Sequence, residues 1–221
     1  MERAPGYVGA ALGVSLAVVI LLAGPLLLFN PAFSSALQAR HGVADAFGTS
    51  QVEVDRVTSE ILFDLVTDGS FDAAFDGRAP LLDARERSHM HDVARLVRVL
   101  VLVVLIAAVT AVGAAWWLRR EPARRGRVMI TAAGAVGATA IMLAIVFAVA
   151  FEPAFLAFHA IFFPPDSYLF TPGSNLITLF PEPFWFDATL AAGASIVLAA
   201  LLVVGLGWWQ LRSARTTTPN P

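Results

Sequence analysis

The chain reads as an all-α membrane protein: a four-transmembrane-helix bundle with a small extracytoplasmic helix/hairpin domain between spans 1 and 2. Three observations predict it. The composition is 57% hydrophobic and 14% charged, with a mean hydropathy of +0.71, against about 45–50% apolar and about 25% charged residues in soluble domains. Four apolar stretches, at about 7–29, 94–118, 128–151 and 187–211, reach the roughly 20 residues needed to cross a hydrocarbon core about 30 Å thick. Finally, basic and acidic residues are segregated between the connections.

Residues 1–30 hold the N-terminus and the first span. Arg3 and the small-residue run Ala36-Leu37-Gln38-Ala39 imitate a secretion signal, but the apolar run "YVGAALGVSLAVVILLAGPLLLF" exceeds the 7–15 residues of a signal core, so a retained span is expected. Gly9 and Gly13 are spaced for close helix packing, expected within the chain.

Lysine is absent, so orientation follows from arginine. The loop 119–127 carries Arg119, Arg120, Arg124, Arg125 and Arg127, and the tail 212–221 carries Arg212 and Arg215. By the positive-inside rule this loop and both termini are expected to be cytoplasmic. The sequences "WWLRR" and "WWQLR" close the second and fourth spans with the aromatic-then-basic order of a membrane interface. The connection 31–93, rich in Asp and Glu, is then extracytoplasmic. The tail "RTTTPNP" reads as disordered.

Within 31–93, Val54, Val57, Thr58, Ile61, Leu62 and Leu65 recur at helical spacing and predict an amphipathic helix over 52–67, lying on the membrane surface or on the bundle. Asp76-Gly77 between short apolar runs predicts a hairpin. Asp83 with Glu86 three residues on predicts a capping-box start to a helix that continues without a break to about residue 118. The connection 152–186 is rich in proline and aromatics. Pro153 should end or kink the third span near Phe151, leaving a short helix over 154–163 that Pro164-Pro165 stops. Irregular backbone at membrane depth needs cover from protein or a wet cavity, which predicts a pocket there.

The chemistry-bearing residues are few. The chain has no cysteine and 4 histidines, which removes disulfides, thiolate nucleophiles and thiolate metal sites. His89 and His159 should lie at similar depth near the outer face, where ionisable groups usually face an interior. "HMHD" could suggest a metal, but His89 and His91, two apart on a helix, point about 200° apart, and no metal or cofactor is expected. A neutral imidazole pair suits acid–base chemistry, with Glu86 or Asp92 as orienting carboxylates. No Gly-x-Ser-x-Gly elbow occurs, and Ser88 points away from His89. The substrate must therefore supply any nucleophile. Arg95 and Arg98 should snorkel or pair with Asp92, or Arg95 could hold a lipid phosphate. No nucleic-acid signature is present. The alternatives are a non-catalytic envelope protein and a metal-dependent membrane hydrolase.

Two segments, "ARERSHMHDV" (84–93) and "FHAIFFPPDSYLFTPGSNLITLFPEPFW" (158–185), resemble a bacterial family of four-span integral membrane proteins that includes the lipoprotein intramolecular transacylase Lit. The resemblance implies a plasma-membrane acyltransferase that moves an ester-linked acyl chain of a diacylglyceryl lipoprotein onto its own N-terminal amine. Its partners would be membrane lipids and lipid-modified protein N-termini; no oligomeric state follows. The family's two essential histidines correspond to His89 and His159, while His91 falls at a variable position. On the same analogy Arg85, Arg95, Asp166 and Tyr168 would meet polar headgroups, and Phe158, Phe162 and Phe163 would line the acyl chain.

Overall fold

Prolines and glycines set where the helices of the computed structural model, which describes residues 4–216, begin and break. Helix α1 spans Gly6–Ala23, short of the expected 7–29: it stops at Gly24, and Pro25–Phe29 follow as one 3₁₀ stretch. Pro25 has no N–H to continue the α-helical ladder. Next come α2 (Pro31–Arg40), α3 (Val43–Phe47), α4 (Gln51–Thr67) and α5 (Ala84–Trp117). Then α6 (Pro122–Val149), α7 (Phe151–Phe162), α8 (Asn175–Leu179) and α9 (Glu182–Thr216) complete the described chain. Of the tail, Arg215 and Thr216 continue α9, and the rest lies outside the described residues. Three helices, α5, α6 and α9, are long and apolar enough to cross a membrane, whereas α1 is shorter.

The helices form two units. The first comprises Met1–Gly24, Val101–Ala144 and Ala192–Pro221. In it Val8 and Leu12 of α1 pack on Ala111 and Ala114 of α5 and on Leu118. Ile20 packs with Ala133 and Ala140 of α6 and Ile196 and Ala200 of α9. Small residues let these backbones approach. One of the close approaches is at Gly126 of α6 and Gly207 of α9, where a Cβ on Gly126 would lie 2.6 Å from the Gly207 carbonyl oxygen. Gly9 and Gly13 face Val128 of α6, so that pair does pack within the chain. Val109, Val112, Leu198 and Leu201 are exposed on the outside, as lipid-facing side chains are.

The second unit comprises Pro25–Leu100 and Ile145–Ala191. All six apolar-face residues predicted for α4 are buried. They do not rest on a membrane surface; they join a core with Phe71, Phe75, Met90, Ala94, Leu179 and Phe184. Ser50 caps α4 through the Glu53 N–H, and Asp68, in the left-handed region at φ 62°, ends it. Gln38 of α2, inside the run that imitates a cleavage site, is buried and donates to the Thr58 hydroxyl at 2.9 Å and the Leu179 carbonyl at 3.1 Å.

The predicted hairpin is corrected: no strand forms among the described residues. The chain does turn at Asp76-Gly77, where the Arg78 N–H meets the Phe75 carbonyl and Gly77 takes φ 70°. Phe71, Ala73 and Phe75 alternate inward as a strand's residues do. Across that turn, however, Leu81 N–H to Ala73 is the hydrogen bond joining the two arms, and a single rung is no ladder.

The break before α7 falls at Ala150 (φ −137°, ψ 55°), one residue ahead of the expected place. Pro153 then sits in the first turn of α7, where a missing N–H costs nothing. Phe163 stops α7 in an extended conformation before Pro164-Pro165.

Candidate functional site

The capping box at the head of α5 forms as expected. The Glu86 N–H donates to Asp83 Oδ1 at 2.8 Å, and the Asp83 N–H donates to Glu86 Oε2 at 2.8 Å. Glu86 is 1% exposed, and its second oxygen, Oε1, accepts the Leu176 N–H at 2.8 Å. Its carboxylate is thus spent on two main-chain donors. Glu86 thus ties the head of α5 to the first turn of α8 through the Leu176 N–H, rather than holding His89, one turn later, by a direct hydrogen bond.

His89 and His159 come together in the second unit. Their ring centroids are 6.2 Å apart with planes inclined by 26°. His89 is 6% exposed and its Nδ1 is buried without a hydrogen-bond partner among the described residues. On His159, Nδ1 lies 2.8 Å from the Phe155 carbonyl oxygen. A carbonyl only accepts, so Nδ1 carries the hydrogen and Nε2 of the neutral ring is left as the basic nitrogen.

Aromatic rings enclose the pair. Phe163 stands 4.9 Å from His89 and 5.4 Å from His159. Phe158 lies 5.4 Å and Tyr168 5.2 Å from His159, whereas Phe162 touches Phe158 and is about half exposed. Two neighbours escaped the sequence reading. Phe155, 4.2 Å from His159, sits one turn earlier on the same helix, so the i, i+4 spacing was the signal that could have found it. Phe170, 5.5 Å from His89, lies in a loop, where no periodicity reports contacts.

Both imidazoles lie outside the apolar stretches of the spans, His89 in the head of α5 and His159 in the short α7. Burial pushes the His89 imidazolium down to about 4; a charge on His159 pushes the same way, and Asp92 pulls against both. Burial also lowers His159, opposed by the Phe155 carbonyl. Each is neutral near pH 7, and protonating one disfavours protonating the other.

The remaining predicted residues divide. Arg85 Nη2 donates to the Asp166 main-chain carbonyl at 2.6 Å and lies 5.6 Å over the Phe170 ring, beside the pair. Arg95 points elsewhere, paired with Asp92 at 3.1 Å, and Arg98 pairs with Asp68 at 2.6 Å. His91 packs edge-on against Phe71, centroids 5.1 Å apart, away from His89. His41 is tied to Asp187 at 2.9 Å, which also meets Arg40.

Comparison with known proteins follows the same lines. Among solved structures, the membrane-integral lipoprotein intramolecular transacylase Lit from Bacillus cereus is similar with a TM-score of 0.81 and 18% identity, over 96% of this chain and 97% of that one. Two further structures of that protein, with one histidine replaced by arginine or by alanine, both give 0.79 at 18% identity. Each covers 96% of this chain, and 94% and 95% of their own. No curated sequence matches. The structural likeness speaks for the fold, while the model of the family "Lipoprotein intramolecular transacylase Lit" matches residues 10–185, most of the chain, and the chain therefore belongs to the Lit family.

Proposed function

We propose that this chain is a lipoprotein transacylase of the bacterial plasma membrane, using His89 and His159 as an acid–base pair. Membership of the Lit family makes it a membrane acyltransferase; the substrate and the chemistry below are our reading. The substrate is a lipoprotein whose N-terminal amine and ester-linked acyl chain lie on one molecule, so the nucleophile absent from the chain arrives with it. The amine nitrogen attacks the ester carbonyl carbon, and His159 Nε2 takes the proton that the nitrogen loses. The neutral His89 supports the oxyanion with its N–H. As the carbon–oxygen bond to glycerol breaks, the His159 imidazolium returns the proton to the departing oxygen, and both rings end as they began.

The observation that carries this reading is the pair itself: two imidazoles 6.2 Å apart, His89 buried and His159 half-buried, the latter with its basic nitrogen fixed by the Phe155 carbonyl. Because protonation of either ring opposes that of the other, the pair handles one proton at a time. Phe158, Phe162 and Phe163 would line the acyl chain, and Tyr168 and Asp166 would meet the headgroup. Arg95, held by Asp92, is the weaker candidate for that contact.

The proposal extends to topology. Four spans, α1 included, leave both ends and the arginine loop 119–127 cytoplasmic, with the connections 31–93 and 152–186 extracytoplasmic. The lipid partners and the modified N-terminus then reach the histidines from the outer leaflet. The test is direct. His89→Ala and His159→Ala should each abolish lyso-lipoprotein in mass spectra of N-terminal lipopeptides while the protein stays in the membrane. Normal product from either variant sinks the mechanism.

A further inference from the structure

The chemistry above makes no use of Arg85, yet Arg85 makes an unusual pair of contacts. The loop 163–170, between α7 and α8, supplies three of the rings around the histidines: Phe163, Tyr168 and Phe170. It has little of its own to hold it there. Pro164 and Pro165 have no N–H to donate. The Ser167 N–H and hydroxyl both turn back onto the Pro164 carbonyl, at 3.2 and 2.9 Å. Asp166 sits in the left-handed region at φ 62°, a conformation that tertiary contacts must hold in a residue other than glycine. Arg85 supplies such a contact twice, by its 2.6 Å hydrogen bond to the Asp166 carbonyl and by lying over Phe170.

Enclosure gives this a consequence. With His89 6% and Phe163 8% exposed, and Phe163 against both imidazoles, the loop covers His89 and leaves His159 half-buried beside it. We infer that Arg85 is a positioning residue that latches the loop 163–170 as a lid over the histidine pair, so that a lipid-modified N-terminus enters when the latch lets go. That functional meaning rests on the reading proposed above, but the latch can be tested without turnover.

Diethyl pyrocarbonate acylates neutral imidazole nitrogen, and the chain's 4 histidines report separately by peptide mass spectrometry. His41, held by Asp187, and the exposed His91 lie outside the lid and serve as references. In the full-length protein in detergent, Arg85→Ala should speed modification of His89 and His159 several-fold and leave His41 and His91 unchanged. Arg85→Lys, still a donor to the carbonyl, should restore most of the protection. Asp166→Asn should leave the modification rates of His89 and His159 at the wild-type level, because the contact to Arg85 is made by the main chain. The latch is overturned by wild-type rates at His89 and His159 in Arg85→Ala, by an equal rise at all four histidines, or by Arg85→Lys being as open as Arg85→Ala. If the footprint behaves as expected while the wild type yields no lyso-lipoprotein, the functional reading fails and the latch stands.

Discussion

At the scale of single residues, His89 and His159 are alike in chemistry and differ in their partners. The Phe155 carbonyl decides which nitrogen of His159 holds a hydrogen, whereas Nδ1 of His89 has no such guide among the described residues. The depressed His89 value has a sign that can be tested. Its imidazolium lies near 4 in the folded protein against 6.5 ordinarily, so between those values the unfolded chain binds the extra proton. The stabilisation is complete above pH 6.5 and is lost as pH falls toward 4. His89→Phe, which keeps a ring and removes the titration, should show a shallower fall of Tm with acid than the wild type in detergent. Parallel curves would mean that His89 titrates normally. Acid limbs from carboxylates cancel in that difference.

The pair was legible in the sequence because two histidines near the start of outward-facing helix ends are costly to keep without a use. What could not be read was their surroundings. The His89–Phe170 and Arg85–Asp166 contacts each join positions 81 residues apart, and no local pattern encodes such a meeting.

At the scale of elements, α4 shows how far periodicity reaches. Six residues at helical spacing named the buried face, and all six are buried. Ile61 is 0% exposed in that core, and Ile61→Ala should cost about 2–5 kcal/mol of stability by denaturant titration. The element it packs on was not legible, since an apolar face fits a membrane surface as well as a protein core. The hairpin shows the opposite failure: its turn residues were right, but alternation alone cannot create the second row of main-chain partners a ladder needs. In the first unit, Gly126→Val should force α6 from α9, because even a Cβ there would lie 2.6 Å from a carbonyl oxygen. A lowered Tm in detergent is expected, with Gly113→Ala, which meets open space, as the silent control.

At the scale of the whole molecule, helix length carries the argument. Helices α5 and α9 run 34 and 35 residues, about 50 Å each at 1.5 Å per residue, beyond a hydrocarbon core of about 30 Å. Each must project from the membrane, and the head of α5 is the part that bears Glu86 and His89. The absence of cysteine makes the proposed orientation easy to test. In intact cells a membrane-impermeant maleimide should label Ala79→Cys and should reach Ala123→Cys only after lysis. The reverse pattern would invert the topology.

The sequence by itself determined that the chain is helical and apolar enough for a membrane, and where its long helices run. These follow from composition and from periods of a few residues, which are local properties. Only the tertiary structure decided that α4 faces a core, that the Asp76-Gly77 turn carries no sheet, that Glu86 serves main-chain donors, and that Arg85 meets Asp166 and Phe170. Each of those depends on which distant segment fills a given space, and packing and hydrogen-bond satisfaction choose that segment across the whole chain.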